Sequence, residues 1–258
     1  NDISLRAINI LKNVSMIACE DTRHTKKLLN KYDISNYLFS FNKHNSLKKI
    51  PTLINELKTG KSIAIVSDAG LPSICDPGED LVKEAKINGI DVVCIPGACA
   101  ALIALVSSGF ESSRFTFYGF LPKKRKNREE ILLEISNCKY SSVIYESPHR
   151  LKKLLIELKE FCGPKRGIQI FRELTKKFEE NIGSNIDLII DFFEGKEVLG
   201  EITVVIEGNK DEDNLEFNKS EFKKELNELI QAGLSLRSAS KYLAKKNNVS
   251  KNKIYNLY

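Results

Sequence analysis

The 258 residues are short of several features, and each shortage removes a class of protein. No run of about 18 apolar residues occurs, so nothing reads as a membrane span and no membrane partner is expected. No leader with a basic start and an apolar middle is visible, which gives a cytoplasmic reading. Six cysteines are present, but none is spaced C-x-x-C, so the common zinc and dithiol spacings are missing and no metal is expected. Most of those cysteines lie in apolar runs and read as small core residues. No two glycines stand two residues apart, and G-x-x-x-x-G-K-[ST] is absent. A standard dinucleotide fold and a P-loop enzyme are therefore excluded. The chain opens on Asn1, and residues 1–7 read as a cap entering a helix. An α/β domain rarely starts there, so a strand and a loop are expected upstream.

What is present is an alternation of short β-branched runs with amphipathic ones. Strands are expected at Met16–Cys19, 38–41, Ile63–Val66 and 92–95, with helices between them at 50–57, 81–88 and 98–107. That pattern implies an α/β unit over 1–111 with a mostly parallel sheet covered on both faces. A second α/β unit is expected over 112–208. Its strands fall at 115–118, 143–145, 168–171 and Ile202–Ile206, and its helices at 128–136, 151–161 and Ile186–Phe193. The acidic, asparagine-rich stretch 209–214 reads as a linker to a purely helical appendage over 215–258.

Charge is unevenly spread. The net charge is +6, and residues 215–258 alone hold nine cations against four acids. Within that appendage, helices at 234–246 and 250–258 joined by an Asn-Asn-Val turn are similar to a helix-turn-helix, with Arg237, Lys241 and Lys245 available to phosphates. Tyr242, Tyr255 and Tyr258 could stack on bases. A plain packing or dimerisation module fits the same pattern. A second basic run, Lys123, Lys124, Arg125, Lys126 and Arg128, reads as a loop able to grip RNA, although such runs are often only solvated faces.

Polar motifs follow the strands. Val66-Ser67-Asp68-Ala69-Gly70-Leu71-Pro72 runs on to Cys75-Asp76-Pro77-Gly78, and the 92–95 run leads into Pro96-Gly97-Ala98-Cys99-Ala100. Ligands of open α/β sheets bind at the carboxyl ends of strands, where glycine lets the backbone approach closely. Ordinary strand-to-helix turns would look similar. At 18–25, Ala-Cys-Glu-Asp-Thr-Arg-His-Thr crowds Asp21, Arg23 and His24 at a strand-to-helix junction, as an active-site rim or as a helix cap. Tyr145-Glu146-Ser147-Pro148-His149-Arg150 and Arg172-Glu173-Leu174-Thr175-Lys176 repeat the arrangement. His149 and His44 read as surface residues.

These motifs, with Gly-Glu-Ile-Thr-Val-Val-Ile-Glu-Gly at 200–208, occur in an order that resembles the small-subunit ribosomal RNA methyltransferases of the tetrapyrrole methylase superfamily. The resemblance spans nearly the whole chain. It implies a two-domain tetrapyrrole-methylase-like α/β fold with an all-helical C-terminal appendage and S-adenosylmethionine in the cleft between the domains. It also implies a homodimer that methylates the 2′-hydroxyl of a cytidine in the decoding region of 16S rRNA, free or in the small ribosomal subunit. Cofactor contacts carried over residue by residue are Ala69, Gly70, Leu71, Ile74, Pro96, Cys99, Ala100, Tyr145, Glu146, Glu173, Ile202, Thr203 and Val204. Asp21, Arg23, His24, Glu146 and Arg172 would carry the chemistry, and Arg150 would join the phosphate grip. Leu71 stands where the family usually has threonine, and Ala98 where proline is common. The family's first strand and its Pro-Ile-Gly-Asn-Leu loop fall before Asn1. Two rivals remain open at this point: a tetrapyrrole C-methyltransferase, and an RNA-binding relative without cofactor.

Overall fold

The computed structural model describes residues 2–210, 219–247 and 251–258, in two compact units, Asn1–Ala100 and Ala101–Tyr258. The first unit begins with α1 (Leu5–Asn13), whose N-cap is Ser4: its hydroxyl accepts the Ala7 N–H at 3.2 Å. There follow β1 (Met16–Cys19), α2 (Thr22–Lys31), β2 (Leu38–Ser40), α3 (Ser46–Lys58), β3 (Ile63–Val66) and α4 (Glu79–Ile87). The sheet order is β2-β1-β3, all parallel, with Ile17 opposite Leu38 on one side and Ala64 on the other.

The central strand explains why its four residues are all apolar. Successive side chains of a strand point to opposite faces. Met16 and Ala18 enter the cluster of Phe41, Leu53, Ile54 and Leu81 beneath α3 and α4. Ile17 and Cys19 enter the cluster of Leu11, Leu29 and Ile34 beneath α1 and α2. Both faces are covered, as continuous apolar strands of parallel sheets require.

The expected fourth strand at 92–95 does not form. Residues 90–99 carry no strand, and Val92 and Val93 are 42% and 66% exposed. Strand propensity is realised only where a neighbour supplies ladder hydrogen bonds. Here β3 pairs with β1 along one edge, and among the described residues no strand pairs with its other edge.

Helix α5 (Ala100–Ser107) leads into the second unit, followed by β4 (Phe115–Phe120), α6 (Arg125–Asn137), β5 (Ser141–Glu146), α7 (Pro148–Cys162), β6 (Gly167–Arg172), β7 (Glu180–Asn185), α8 (Ile186–Phe193) and β8 (Ile202–Ile206). The order is β4-β5-β8-β6-β7. The β4–β5 pair is parallel and the other pairs are antiparallel. All five residues of central β8 are buried. Leu132, Leu151, Leu154, Leu155 and Ile189 pack with Ile202 and Val204 to form the core. Strand β7 is absent from the sequence expectation because Glu-Asn-Ile-Gly-Ser-Asn lacks both β-branched density and a clean alternation. It forms as the edge partner of β6, with Ile182 opposite Ile170.

The appendage forms α9 (Lys219–Gln231), α10 (Leu236–Asn247) and α11 (Lys251–Tyr255), with its own apolar centre of Leu226, Ala239, Leu243 and Ile254. Most of the expected 209–214 linker lies outside the described residues, as do positions 248 and 249 of the inter-helix turn and Ser250, the expected start of the last helix. The cysteines differ from expectation. Only Cys19 is buried, whereas Cys75 and Cys94 are exposed, the other three are intermediate, and none of the six is in a disulfide. An apolar neighbourhood in sequence does not bury a residue that falls on a loop or an uncovered face.

Leu154→Ala, which empties a site with 0% exposure, should lower unfolding stability by about 2–5 kcal/mol in urea titration. Ile156→Ala, on the opposite side of α7 and 61% exposed, should change it by no more than about 0.5 kcal/mol.

Candidate functional site

Because β1 and β3 are adjacent and parallel, their carboxyl ends deliver Glu20–Asp21 and Ser67–Asp68 to one edge of the first sheet. The Asp21 carboxylate caps α2 by accepting the Arg23 N–H at 2.8 Å. It also takes the Arg23 guanidinium, Nε at 3.1 Å and Nη2 at 2.7 Å. These Arg23 hydrogen bonds hold the Asp21 carboxyl well below the usual carboxylate range, and Asp21 in turn raises Arg23. Asp21 is therefore a fixed anion and a poor proton acceptor. The Asp68 carboxylate accepts the Asp21 N–H at 3.4 Å and stands 3.9 Å from His24 Nδ1, and the Asp68 N–H donates to Glu20 at 3.4 Å. His24 keeps 62% of its side chain exposed. Behind them the Cys19 thiol is pushed up by burial, so it is an inert wall.

The 67–78 loop is tightly wound. Ser73 and Cys75 have φ of 71° and 66°, in the left-handed region that non-glycine residues seldom enter. Gly78 has φ of 154°, and a Cβ there would lie 2.3 Å from Ser73 Oγ. A Cβ on Gly70 would lie 3.9 Å from the Ala98 carbonyl oxygen, so the 67–78 and 96–100 loops run side by side. Ala69, Gly70 and Pro96 are exposed, while Leu71, Ile74, Cys99 and Ala100 are half-buried. The two loops together present small residues and reachable backbone.

In the second unit, register places Glu146, Ile202 and Arg172 abreast across β5, β8 and β6. Glu146 has 0% side-chain exposure and is saturated. Its oxygens take Arg150 Nη2 at 2.6 Å, Arg128 Nη2 at 3.4 Å and the Ser147 N–H at 2.8 Å. Arg128 also donates to Glu157 at 2.7 Å. The 123–128 run is thus not one exposed loop: from Arg125 it is the start of α6, and Arg128, 5% exposed, points inward where it meets carboxylates rather than phosphate. Arg150, half-buried, is likewise engaged by Glu146 and by Ser147 Oγ at 3.1 Å.

Tyr145 packs edge-on against Phe117 with centroids 5.0 Å apart, and its hydroxyl accepts the Ala101 N–H at 3.1 Å in the first turn of α5. Arg172 Nε donates to Glu180 at 2.9 Å. Glu173, at φ 52°, accepts the Glu201 N–H and Lys176 Nζ, each at 2.9 Å, and these bonds lower its carboxyl pKa, the Glu201 bond most. Ile202, Thr203 and Val204 are buried in the central strand, with ladders on both sides. Lys123, Lys124, Arg125, Arg237, Lys241 and Lys245 are exposed, as are Tyr242, Tyr255, Tyr258, His44 and His149. Among the described residues no cluster of His, Cys, Asp and Glu could hold a metal.

Asp68 lies in the 67–78 motif with no local mark of a site residue. Its partnership with His24 depends on β1 and β3 being neighbours, which no local signal announces.

Residues 1–188 match the family described as Tetrapyrrole (Corrin/Porphyrin) Methylases. A Bacillus subtilis protein named ribosomal RNA small subunit methyltransferase I is 40% identical over 100% of this chain and 89% of its own length. Its namesake from Synechocystis sp. is 38% identical over 99% of this chain and 92% of its own. The chain belongs to the ribosomal RNA small subunit methyltransferase I family, within the tetrapyrrole methylases. The fold agrees. Uroporphyrin-III C-methyltransferase from Thermus thermophilus, solved with S-adenosylhomocysteine, superposes with a TM-score of 0.53 at 13% identity, covering 79% of this chain and 90% of that one. Family membership makes the chain a methyltransferase.

Arg128→Ala would leave Glu146 buried with one cation fewer. With Arg150 still on Glu146, it should cost about 1–3 kcal/mol of unfolding stability in urea titration. Lys124→Ala, at the exposed N-cap of α6, should cost less than about 0.5 kcal/mol in the same titration.

Proposed function

We propose that this protein is an S-adenosylmethionine-dependent methyltransferase that acts on the ribose 2′-hydroxyl of a cytidine in the decoding region of 16S rRNA. It would work in the cytoplasm, on free RNA or on the small ribosomal subunit. The observation that carries the reading is the strand-end edge of the first unit. There an open pair of small-residue loops lies beside an exposed imidazole backed by Asp68 and an exposed guanidinium anchored on Asp21.

The loops fit the cofactor. Ala69 and Gly70 are small and exposed, which lets a ligand approach the backbone closely, although the Ser67 hydroxyl already donates to both of their carbonyls at 3.3 and 3.4 Å, and Leu71 and Ile74 offer apolar surface to its adenine. When bound, the cofactor supplies a sulfonium methyl, already strongly electrophilic, so the protein's task is positioning. His24 is the residue to accept the 2′-hydroxyl proton, with Asp68 steadying the charged imidazole. Arg23, held in place by Asp21, would grip a substrate phosphate or steady the developing alkoxide. In the second unit, Arg172, paired with Glu180 through Nε, would offer its remaining N–H groups to an anionic substrate. Buried Glu146 orders Arg150 and Arg128 rather than exchanging protons. Tyr145 and Glu173 shape the second unit's strand ends, whereas Ile202–Val204 serve the core. A second copy of the chain would cover Leu102 and Val106, four residues apart on α5 and 49% and 74% exposed, which gives the homodimer a physical reason.

The deciding experiment is transfer of labelled methyl to rRNA from cells lacking the gene, with the modified nucleotide mapped. Label on a porphyrinogen instead of RNA would reject the reading. Arg23→Ala should reduce transfer at least about tenfold with an unchanged melting temperature, because its side chain is 87% exposed; full activity would remove Arg23 from the site. Gly70→Val puts a branched side chain at φ 74° between the two loops. It should raise the calorimetric Kd for S-adenosylmethionine at least about tenfold.

A further inference from the structure

The helical appendage meets α6 and α7 through a cluster of charges that brings together two separately expected basic regions. Glu129 on α6 takes two guanidiniums on a single oxygen. Arg125 Nε donates to Oε1 at 2.8 Å, and Arg237 Nη2, from α10, donates to the same Oε1 at 3.4 Å. Nearby, Lys251 of α11 reaches Glu160 of α7 at 3.3 Å and lies over the Phe161 ring at 5.9 Å. The two halves of the joint differ in exposure. Lys251 keeps only 11% of its side chain exposed and acts as the peg that docks the appendage. Arg125 and Arg237 are 76% and 59% exposed, so their half stands open to water.

We propose that Arg125 and Arg237 form one composite phosphate site for an RNA backbone, bridging the body of the second unit and its helical appendage, with Glu129 as the resident stand-in for the phosphate. This rests on the reading above that the substrate is ribosomal RNA. Arg125 and Glu129, four apart on α6, would pair without the appendage, but Arg237 arrives from 108 residues away and converges on the same oxygen. Planar guanidinium forks suit a phosphate better than a shared carboxylate oxygen, because a phosphate offers each fork its own acceptor. Exposed ion pairs are weak and screened by salt, so a polyanion can displace Glu129.

The surroundings supply the rest of the track. Lys123, Lys124 and Lys126 are exposed just before and beside Arg125. Lys241 and Lys245 follow Arg237 at steps of four along one face of α10, all exposed. The Arg125 hydrogen bond also keeps the Glu129 carboxyl below its ordinary range, so the competing anion persists in the free protein.

The test is fluorescence anisotropy of the full chain with a fluorescein-labelled RNA hairpin of the small-subunit decoding region, over a salt series. Arg125→Ala and Arg237→Ala should each weaken binding about three- to tenfold and flatten the salt slope by about one unit. The double variant should lose less than the product of the single losses, because one shared phosphate is lost once. Glu129→Gln, which keeps the shape and removes the charge, should bind several-fold tighter. Lys165→Ala, in the turn between α7 and β6 and outside the Arg125–Arg237 cluster, serves as the control and should bind as the parent does. Unchanged or weaker binding by Glu129→Gln, or losses that multiply in full, would overturn the composite site while leaving the RNA reading intact. Failure of the parent protein to bind either the hairpin or the small ribosomal subunit would overturn the RNA reading itself.

Discussion

The first unit depends on the central position of β1. A strand of four wholly buried residues, paired in parallel on both sides, fixes the direction and the level of its neighbours. Parallel pairing means that every strand of the sheet ends at the same edge, so the loops after β1 and β3 open together there. Glu20, the Asp21 N–H and the His24 imidazole meet Asp68 for that reason alone. The chemistry proposed for this edge is a consequence of strand order.

The second unit reaches a similar result by other means. Its sheet is mixed, and its polar strand tips lie abreast because β8 runs against both β5 and β6. That arrangement places a carboxylate, Glu146, in the interior, where an unpaired charge would be costly. Arg128 from α6 and Arg150 from α7 both turn inward to meet it. Two cations that sequence alone would assign to RNA are thereby committed to holding helices against the sheet. The appendage has its own apolar centre and meets α6 and α7 through the Arg237–Glu129 and Lys251–Glu160 pairs.

Sequence patterning located nearly every element because burial leaves a period-2 or period-3.6 trace, and it placed Asp21 at a helix cap because capping is local chemistry. It was wrong where an outcome depended on a distant partner. Residues 92–95 have strand composition but no partner, and β7 has poor strand composition but a good partner in β6. Cys94 sits in the apolar run Val92-Val93-Cys94-Ile95 yet is exposed.

By itself, then, the sequence determined the α/β alternation, the helical end, the glycine- and proline-rich strand-end loops and the motif order that marks the family. Each of these is written in residues a few positions apart. Only the tertiary structure decided that Asp68 backs His24, that Glu146 and Arg128 are interior, and that Arg125 and Arg237 share one acceptor. Those facts are set by strand order and helix docking. Apart from the local Arg125–Glu129 pair, they join residues between 18 and 108 positions apart, beyond the reach of any local pattern.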